Sequence, residues 1–303
     1  MQSLDAMQVF VHTVEARSFT GAARRLGLSK SVVSRRLTAL EARLGVRLLN
    51  RTTRSLSLTE PGQAYYERCT RILAEVEAAE AGLRSLAGGL SGLLRVAAPV
   101  SFGQRYLAPA VAEFLARHPR LTLELDLNDR FVDVVAEGID VAVRIGRLRD
   151  SSLVARKLAP VRRVACCSPD YAARRGLPRR PEDLAGHDCL GYTNLATGEQ
   201  WRFRVGERWR SVPVRGPLRV NNGDILLQAA LAGLGIVALP TFVCGPAIRS
   251  GALIRVLPRF EMLEATLCAV HPQSRHPSPK VRSFLDFLAG RFGPCPTWDE
   301  GIA

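Results

Sequence analysis

No run of about 20 apolar residues occurs in this sequence, so none of it predicts a membrane-spanning helix. The start does not read as a secretory leader either. "MQSLDAMQVFVHTVEARSF" alternates apolar and polar residues at helical spacing where a leader carries one continuous apolar stretch, and the expectation is a soluble, cytoplasmic protein. The seven cysteines (Cys69, Cys166, Cys167, Cys189, Cys244, Cys268, Cys295) include no C-x-x-C pair and join none of the five histidines (His12, His118, His187, His271, His276) at metal-ligand spacing. Neither a metal nor a cofactor is expected, and reduced thiols fit best, with a redox-sensing cysteine as the alternative. No G-x-S-x-G elbow, phosphate-binding loop or G-x-G-x-x-G turn follows a strand-like run, so an enzyme is not expected. Aromatics make up only 6%, yet 47% hydrophobic residues in a chain of 303 are enough for two or more buried cores.

Lysine is scarce too. Lys30, Lys157 and Lys280 are the only three among 42 basic residues, so the net charge of +14 is almost wholly arginine. That total favours a polyanionic partner, but a biased genome would give it equally, and its distribution is more informative. Between Arg17 and Arg54 ten basic residues stand against a single acid, Glu41.

That basic stretch has helical punctuation. Leu4, Met7, Phe10, Val11 and Val14 repeat at i, i+3, i+4 spacing and predict a helix ending near Arg17. Ser18 is a candidate N-cap for "FTGAARRL"; Gly27 can take the left-handed conformation that stops a helix, and Ser29 can cap the next one. In "LGLSKSVVSRRLTAL" the third helix puts Val33, Leu37, Leu40 and Leu44 on one stripe and Lys30, Ser31, Ser34, Arg35 and Thr38 on another. Two short helices joined by a glycine turn make a helix-turn-helix or an ordinary three-helix packing unit. Dense arginine with almost no acid tips the balance, because such a face makes few salt bridges and is suited to phosphates.

"GVRLLNRTTRSLSLTEPG" then reads as a short hairpin with Arg51 and Arg54 at its tip, either a DNA-touching wing or a plain solvated hairpin. From Thr59, a candidate N-cap, a long helix is predicted to about Ala87. Tyr65, Cys69, Ile72, Val76, Ala79, Leu83 and Leu86 step along it by fours and threes. Self-association along this seam is the preferred reading, and packing on the protein's own domain is the alternative. "AGGLSG" reads as a hinge. Beyond it the apolar runs "LLRVAA", "LTLELDL", "VAVRI", "GIVAL" and "ATLCAV" alternate with helical stretches, which argues for parallel α/β construction.

These stretches closely resemble the LysR-type transcriptional regulators. "SFTGAARRLGLSKSVVSRRLTALEARLGVRLLNRTTRSLSLTEPG" is similar to that family's N-terminal domain, and "LTLELDLNDRFVDVVAEGIDVAVRIG", "NNGDILLQAALAGLGIVALP" and "VRSFLDFLAGRF" are similar to its effector domain. The resemblance implies an α/β multidomain chain. Its parts would be a winged helix-turn-helix (1–58), a dimerising linker helix and hinge (59–91), a two-lobed effector domain like the type-2 periplasmic binding proteins (92–292), and a tail (293–303). Lobe one would comprise 92–161 and 267–292, lobe two 162–266. Lys30-Ser31 stands where many family members carry Gln-Pro, so the base contacts of this chain are its own.

The expected DNA contacts are Lys30, Ser31, Val32, Ser34 and Arg35 on the recognition helix, with Arg51 and Arg54 on the wing. Arginine and lysine can bond guanine acceptors or phosphate, serine either, and the valine methyls a thymine methyl. The expected effector contacts, from turns that line the family's cleft, are Ser101, Phe102, Arg144, Asn222 and Thr241. A small organic anion would suit helix N-termini there. The expected seam contacts are Tyr65, Cys69, Ile72, Val76, Leu83 and Leu86. The expected partners are double-stranded promoter DNA, a small-molecule effector, a second or further copies in a homodimer or homotetramer, and RNA polymerase, with no membrane. A pure solute-binding protein is the remaining rival, and it would need a leader and no helix-turn-helix.

Overall fold

In the computed structural model, residues 2–16, 18–51, 56–130, 133–146, 153–194, 200–273 and 277–302 are described. They form two compact units, one of residues 1–91 with 133–138 and 273–282, the other of 92–132, 139–272 and 283–303.

The first unit begins with α1 (Gln2–Glu15), α2 (Phe19–Leu26) and α3 (Lys30–Leu44). Ser18 caps α2, its hydroxyl accepting from the Gly21 N–H at 3.3 Å. Gly27 closes α2 with φ of 64°, a conformation that costs a side chain but not glycine, and the Leu28 N–H reaches back to the Ala23 carbonyl at 2.9 Å. Ser29 then caps α3, accepting from the Val32 N–H at 3.3 Å. Val9, Phe10, Ala22, Ala23, Val33, Leu37 and Leu40 bury one another at the centre. β1 (Leu49–Arg51) and β2 (Leu56–Leu58) pair antiparallel with Leu49 opposite Leu58.

α4 (Glu60–Gly88) follows, with the Thr59 hydroxyl accepting from the Gly62 N–H at 3.0 Å. Gly62 sits where any Cβ would lie 2.0 Å from the Leu48 carbonyl oxygen. Gly62→Ala is therefore expected to push the wing off α4 and destabilise this unit by about 1–3 kcal/mol, read as an earlier melting transition.

The second unit holds two five-stranded sheets. β3 (Gly92–Ala98) leads into α5 (Val100–Phe102), a π-turn over Gly103–Leu107 and α6 (Ala108–Arg117); β4 (Leu121–Leu127), β5 (Val141–Gly146) and β6 (Leu153–Val161) follow. The chain then enters the other sheet with β7 (Arg163–Cys167), α7 (Pro169–Arg175), β8 (Cys189–Tyr192), the hairpin β9 (Gln200–Val205) and β10 (Arg208–Pro213), β11 (Arg219–Val220), α8 (Gly223–Leu231), β12 (Ile236–Pro240), α9 (Thr241–Arg249) and β13 (Ile254–Val256). It returns through β14 (Ala265–Pro272) and α10 (Pro279–Phe292). The sheet orders are β4-β3-β5-β14-β6 and β11-β8-β12-β7-β13.

Purely parallel construction is corrected by this topology. β3 runs parallel to β4 and β5, and β8 to β11 and β12, but β14 is antiparallel to β5 and β6, and β7 to β12 and β13. The physical reason is the double crossing. β6 runs straight into β7 between the sheets and β13 into β14 on the way back, so the strand that enters each sheet, β7 or β14, runs opposite to that sheet's βα units.

The tail after α10 is anchored at Trp298 and Ile302. Trp298 is 3% exposed and lies among Phe102, Tyr106, Phe242 and Phe292. The Arg255 guanidinium donates to the Ile302 carbonyl at 2.8 Å.

Six of the seven cysteines are buried, and Cys295 is exposed. Burial pushes the Cys167 thiol from 9.0 to about 11 and the Cys189 thiol to about 12, so both stay protonated and unreactive at neutral pH. An aromatic disulfide reagent at pH 8 is expected to label one thiol per native chain and all seven after denaturation. An unfolded thiol ionises near 9.0, below its folded value. The stability these two groups contribute is therefore complete below pH 9 and is lost as pH rises to between 11 and 12, which an alkaline melting series reads directly.

Candidate functional site

On the first unit, α3 turns Val33, Leu37 and Leu40 into the core. This leaves Lys30, Ser31, Arg35, Arg36 and Thr38 exposed and Val32 and Ser34 half-buried. Ser31 shares a 2.9 Å hydroxyl contact with the capping Ser29, which holds it at the helix start. The lone acid of the basic stretch reaches the wing. Glu41 accepts from the backbone N–H groups of Leu48 and Leu49 at 2.9 and 3.1 Å, tying the first wing strand to α3. Arg25 is drawn off to Glu15 at 3.3 Å, whereas Arg35 enters no ion pair among the described residues. An exposed helix face of forked and short polar side chains, held rigid by an apolar one, is what insertion into a major groove requires. Arg51 lies at the end of β1 with its side chain outside the description, and Arg54 lies outside the described residues.

The seam on α4 divides. Cys69 is fully buried and Tyr65 packs beside it, its ring 5.5 Å from Phe10, so both serve the unit's own core. Their assignment to a seam between chains is corrected, because the first two turns of α4 cover α1. Ile72 is 39% exposed and Val76 half-buried, while the side chains of Leu83 and Leu86 lie outside the description.

In the second unit a cleft of about 970 Å³, counted out to its open mouth, lies between the ends of the two sheets. Ser101 and Arg144 line it as expected. Phe102, Asn222 and Thr241 do not. Phe102 is fully buried, 5.2 Å from the Phe292 ring and 5.5 Å from Phe242. Its place in the first turn after β3 points it down into packing, while Ser101 beside it faces the cleft. Thr241 is 1% exposed and donates its hydroxyl to Asp299 Oδ1 at 2.6 Å, pinning the tail. Asn222 caps α8, accepting from the Asp224 and Ile225 N–H groups at 3.0 and 3.1 Å.

The helix starts that were expected to hold an anion are thus satisfied internally. Asp129 Oδ1 accepts from the Val100 N–H at 3.0 Å, and Asn222 serves α8. Ser101 donates to Asp224 Oδ2 at 2.6 Å and Arg105 to Asp224 Oδ1 at 2.5 Å, so one carboxylate from α8 bridges to the helix after β3. Asn194 adds a second bridge, its Nδ2 donating to the Asp129 carbonyl at 2.9 Å. Burial pushes the Asp129 carboxyl above its usual range, opposed by the Val100 N–H and Asn222.

Sequence reading missed Arg163, the first residue of β7. It lines the cleft, its Nη2 donates to the Ala238 carbonyl at 3.0 Å, and its Nε is buried without a hydrogen-bond partner. Burial holds its pKa down to about 10, with the neighbouring Tyr192 and Cys244 opposing the shift. Nothing in "LAPVRRVACC" separates Arg163 from the exposed Arg162 beside it, because a strand's direction of facing depends on its sheet.

Comparison with known proteins agrees in both units. Residues 4–63 match the bacterial regulatory helix-turn-helix proteins of the lysR family, and residues 87–293 match the LysR substrate binding domain. The transcriptional regulator PtxR of Pseudomonas aeruginosa is 38% identical over 293 residues, which cover 96% of this chain and 93% of PtxR. The uncharacterized regulator YhjC of Escherichia coli K12 is 38% identical over 294 residues, covering 96% and 98%. Among solved structures, the LysR-type regulator CrgA of Neisseria meningitidis has a TM-score of 0.61 at 36% identity, over 94% of this chain and 97% of CrgA. The virulence activator AphB of Vibrio cholerae has a TM-score of 0.62 at 29% identity, over 95% and 98%. With the helix-turn-helix and the two-sheet domain both matched in order, the chain belongs to the LysR family of DNA-binding transcriptional regulators.

Proposed function

We propose that this chain reads a specific promoter sequence through α3 and releases or rearranges on it when a small organic anion binds in the cleft of the second unit. The observation that carries the reading is the exposed face of α3, where Lys30, Ser31, Ser34 and Arg35 stand free of the core that Val33, Leu37 and Leu40 anchor. Lys30, Ser31, Val32, Ser34 and Arg35 reach base edges and phosphates, and Arg51 and Arg54 follow the adjacent backbone or minor groove. Ser101 and Arg144 face the effector in the cleft.

The chain acts in the cytoplasm as a homodimer or homotetramer joined through the later turns of α4, where Ile72, Val76, Leu83 and Leu86 continue the heptad seam past the domain core. Two copies present two recognition helices to two half-sites. Effector binding alters lobe closure, and through the oligomer the spacing of the DNA-binding units, which changes the occupied sites and their access to RNA polymerase. Footprinting of the purified full chain on genomic fragments tests this. The expected result is a protected pair of half-sites one or more helical turns apart, whose extent changes with effector. Uniform, sequence-independent protection would sink it.

A further inference from the structure

We propose that residues 294–302 act as a strap that fastens the two sheets of the second unit to one another, and that loosening it frees their movement without any ligand. The matched substrate binding domain ends at residue 293, so this segment is added to the outside of that fold. It leaves α10 on the side of the first sheet, where Phe284 packs on Phe114 of α6 with ring centres 5.1 Å apart. Trp298 then sits at the junction. Tyr106 and Phe102, from the turn after β3, lie 4.9 and 5.8 Å from its ring, and Phe242, from α9 after β12, lies 6.2 Å away. Beyond Trp298 the polar ties to the rest of the unit, among the described residues, run to the second sheet and the crossing. Asp299 accepts from the Thr241 hydroxyl and lies 3.8 Å from Arg162, which stands between β6 and β7. The carbonyls of Glu300 and Ile302 accept from Arg249 and Arg255 at 3.1 and 2.8 Å. Ile302 rests against α9 where Gly245 leaves room, since a Cβ there would stand 2.6 Å from Ile302 Cδ1.

Two features make this fastening releasable and tie it to the cleft. The Trp298 indole N–H is buried without a hydrogen-bond partner, so docking leaves a donor that water would satisfy on release, and this opposes the attraction of the aromatic contacts. Phe242 lines the cleft with one side and touches Trp298 with the other. Movement of α9 relative to the turn after β3 therefore draws Trp298 away from one of its two sets of neighbours. At the cleft the sheets are already bridged by Asp224 to Ser101 and by Asn194 to the Asp129 carbonyl, and the strap is a second, separate fastening. That its release reaches the DNA rests on the function proposed above, in which sheet movement is what the DNA-binding unit responds to. The competing use of the segment is as a cover, which keeps water off the aromatic cluster and restrains nothing beyond it.

Hydrogen exchange of the ligand-free full chain separates the two uses. Trp298→Ala removes the ring from the junction, and Thr241→Val keeps the buried volume while removing the hydroxyl that holds Asp299. In both variants exchange is expected to quicken about 10-fold in the strap and also in 127–130 and 189–194. Those two segments flank the Asn194 bridge and share no hydrogen bond, ion pair or ring contact with the strap among the described residues. Exchange in β3 and β12, at the centres of the sheets, is expected to stay unchanged. A rise confined to the strap and the residues it covers, 99–107 and 241–249, overturns the proposal in favour of a cover. A uniform rise that includes β3 and β12 is general loss of stability and overturns it too. Footprinting of the same two variants without ligand keeps the levels of failure apart. The expected result is an altered extent of operator protection. Exchange that spreads to the cleft with an unchanged footprint rejects sheet movement as the control on DNA and leaves the strap standing, whereas confined exchange rejects the strap whatever the footprint.

Discussion

Phe102→Ala is expected to destabilise the effector unit by about 3–5 kcal/mol, the range for emptying a fully buried phenyl ring. The melting transition of that unit should fall on the order of 10 °C. The expectation comes from who the neighbours are. The ring lies 5.7 Å from Tyr106, 5.5 Å from Phe242, 5.2 Å from Phe292 and 5.8 Å from Trp298, so four elements far apart in sequence share it: the helix after β3, α9, the end of α10 and the tail. Because these elements are held by separate parts of the chain, the cavity cannot be closed by one helix shifting alone. The effect separates this residue from an effector contact. Truncating an effector contact should weaken ligand binding and leave the ligand-free melt almost unchanged, whereas Phe102→Ala should lower the ligand-free melt itself. Differential scanning calorimetry of the full chain without ligand decides between them. A loss under about 1 kcal/mol would mean that the aromatic cluster is not packed as described.

What was legible in advance, and what was not, follows from the range of the interactions involved. Ser18, Gly27 and Ser29 could be read because capping and the left-handed turn act within four residues, and all three stand where they were expected. "LTLELDL" is β4 from its first residue to its last, since alternation marks a half-buried strand. The basic face of α3 was legible for a similar reason: helical period and charge are both local. Phe102 and Thr241 were misplaced because they sit beside true cleft residues, and one residue's difference in facing is set by tertiary packing. Cys69 fits the heptad spacing perfectly, yet the spacing says only that a partner exists, and the partner here is the unit's own α1. Arg163 was invisible because its burial depends on β12 passing alongside. Trp298 and Ile302 do carry a local signal, since two large apolar residues in a short polar tail want a surface to cover.

Arg35→Ala is expected to weaken binding to the cognate operator by far more than one lost contact would suggest. A side chain that bonds a base edge or phosphate contributes about 1–3 kcal/mol to discrimination. In the proposed dimer each substitution is made twice, once in each half-site, so the expected loss is about 2–6 kcal/mol, or roughly 30-fold to 10⁴-fold in affinity. Because Arg35 carries a full charge and is exposed, part of the loss is counterion release. The slope of log affinity against log salt should become shallower by about 2 if both copies touch phosphate, and stay unchanged if both read bases. Ser34→Ala beside it carries no charge and should change affinity without changing that slope. Arg25→Ala is the internal control, since that guanidinium is engaged with Glu15 and leaves the reading face untouched. Gel-shift titration at three salt concentrations measures all four proteins. A loss for Arg35→Ala of under about 2 kcal/mol would mean that one recognition helix is engaged at a time, which would count against the two-half-site arrangement even if the helix itself is correctly assigned. Affinity unchanged within error would remove Arg35 from the interface altogether and leave Lys30 as the nearest cation on that face.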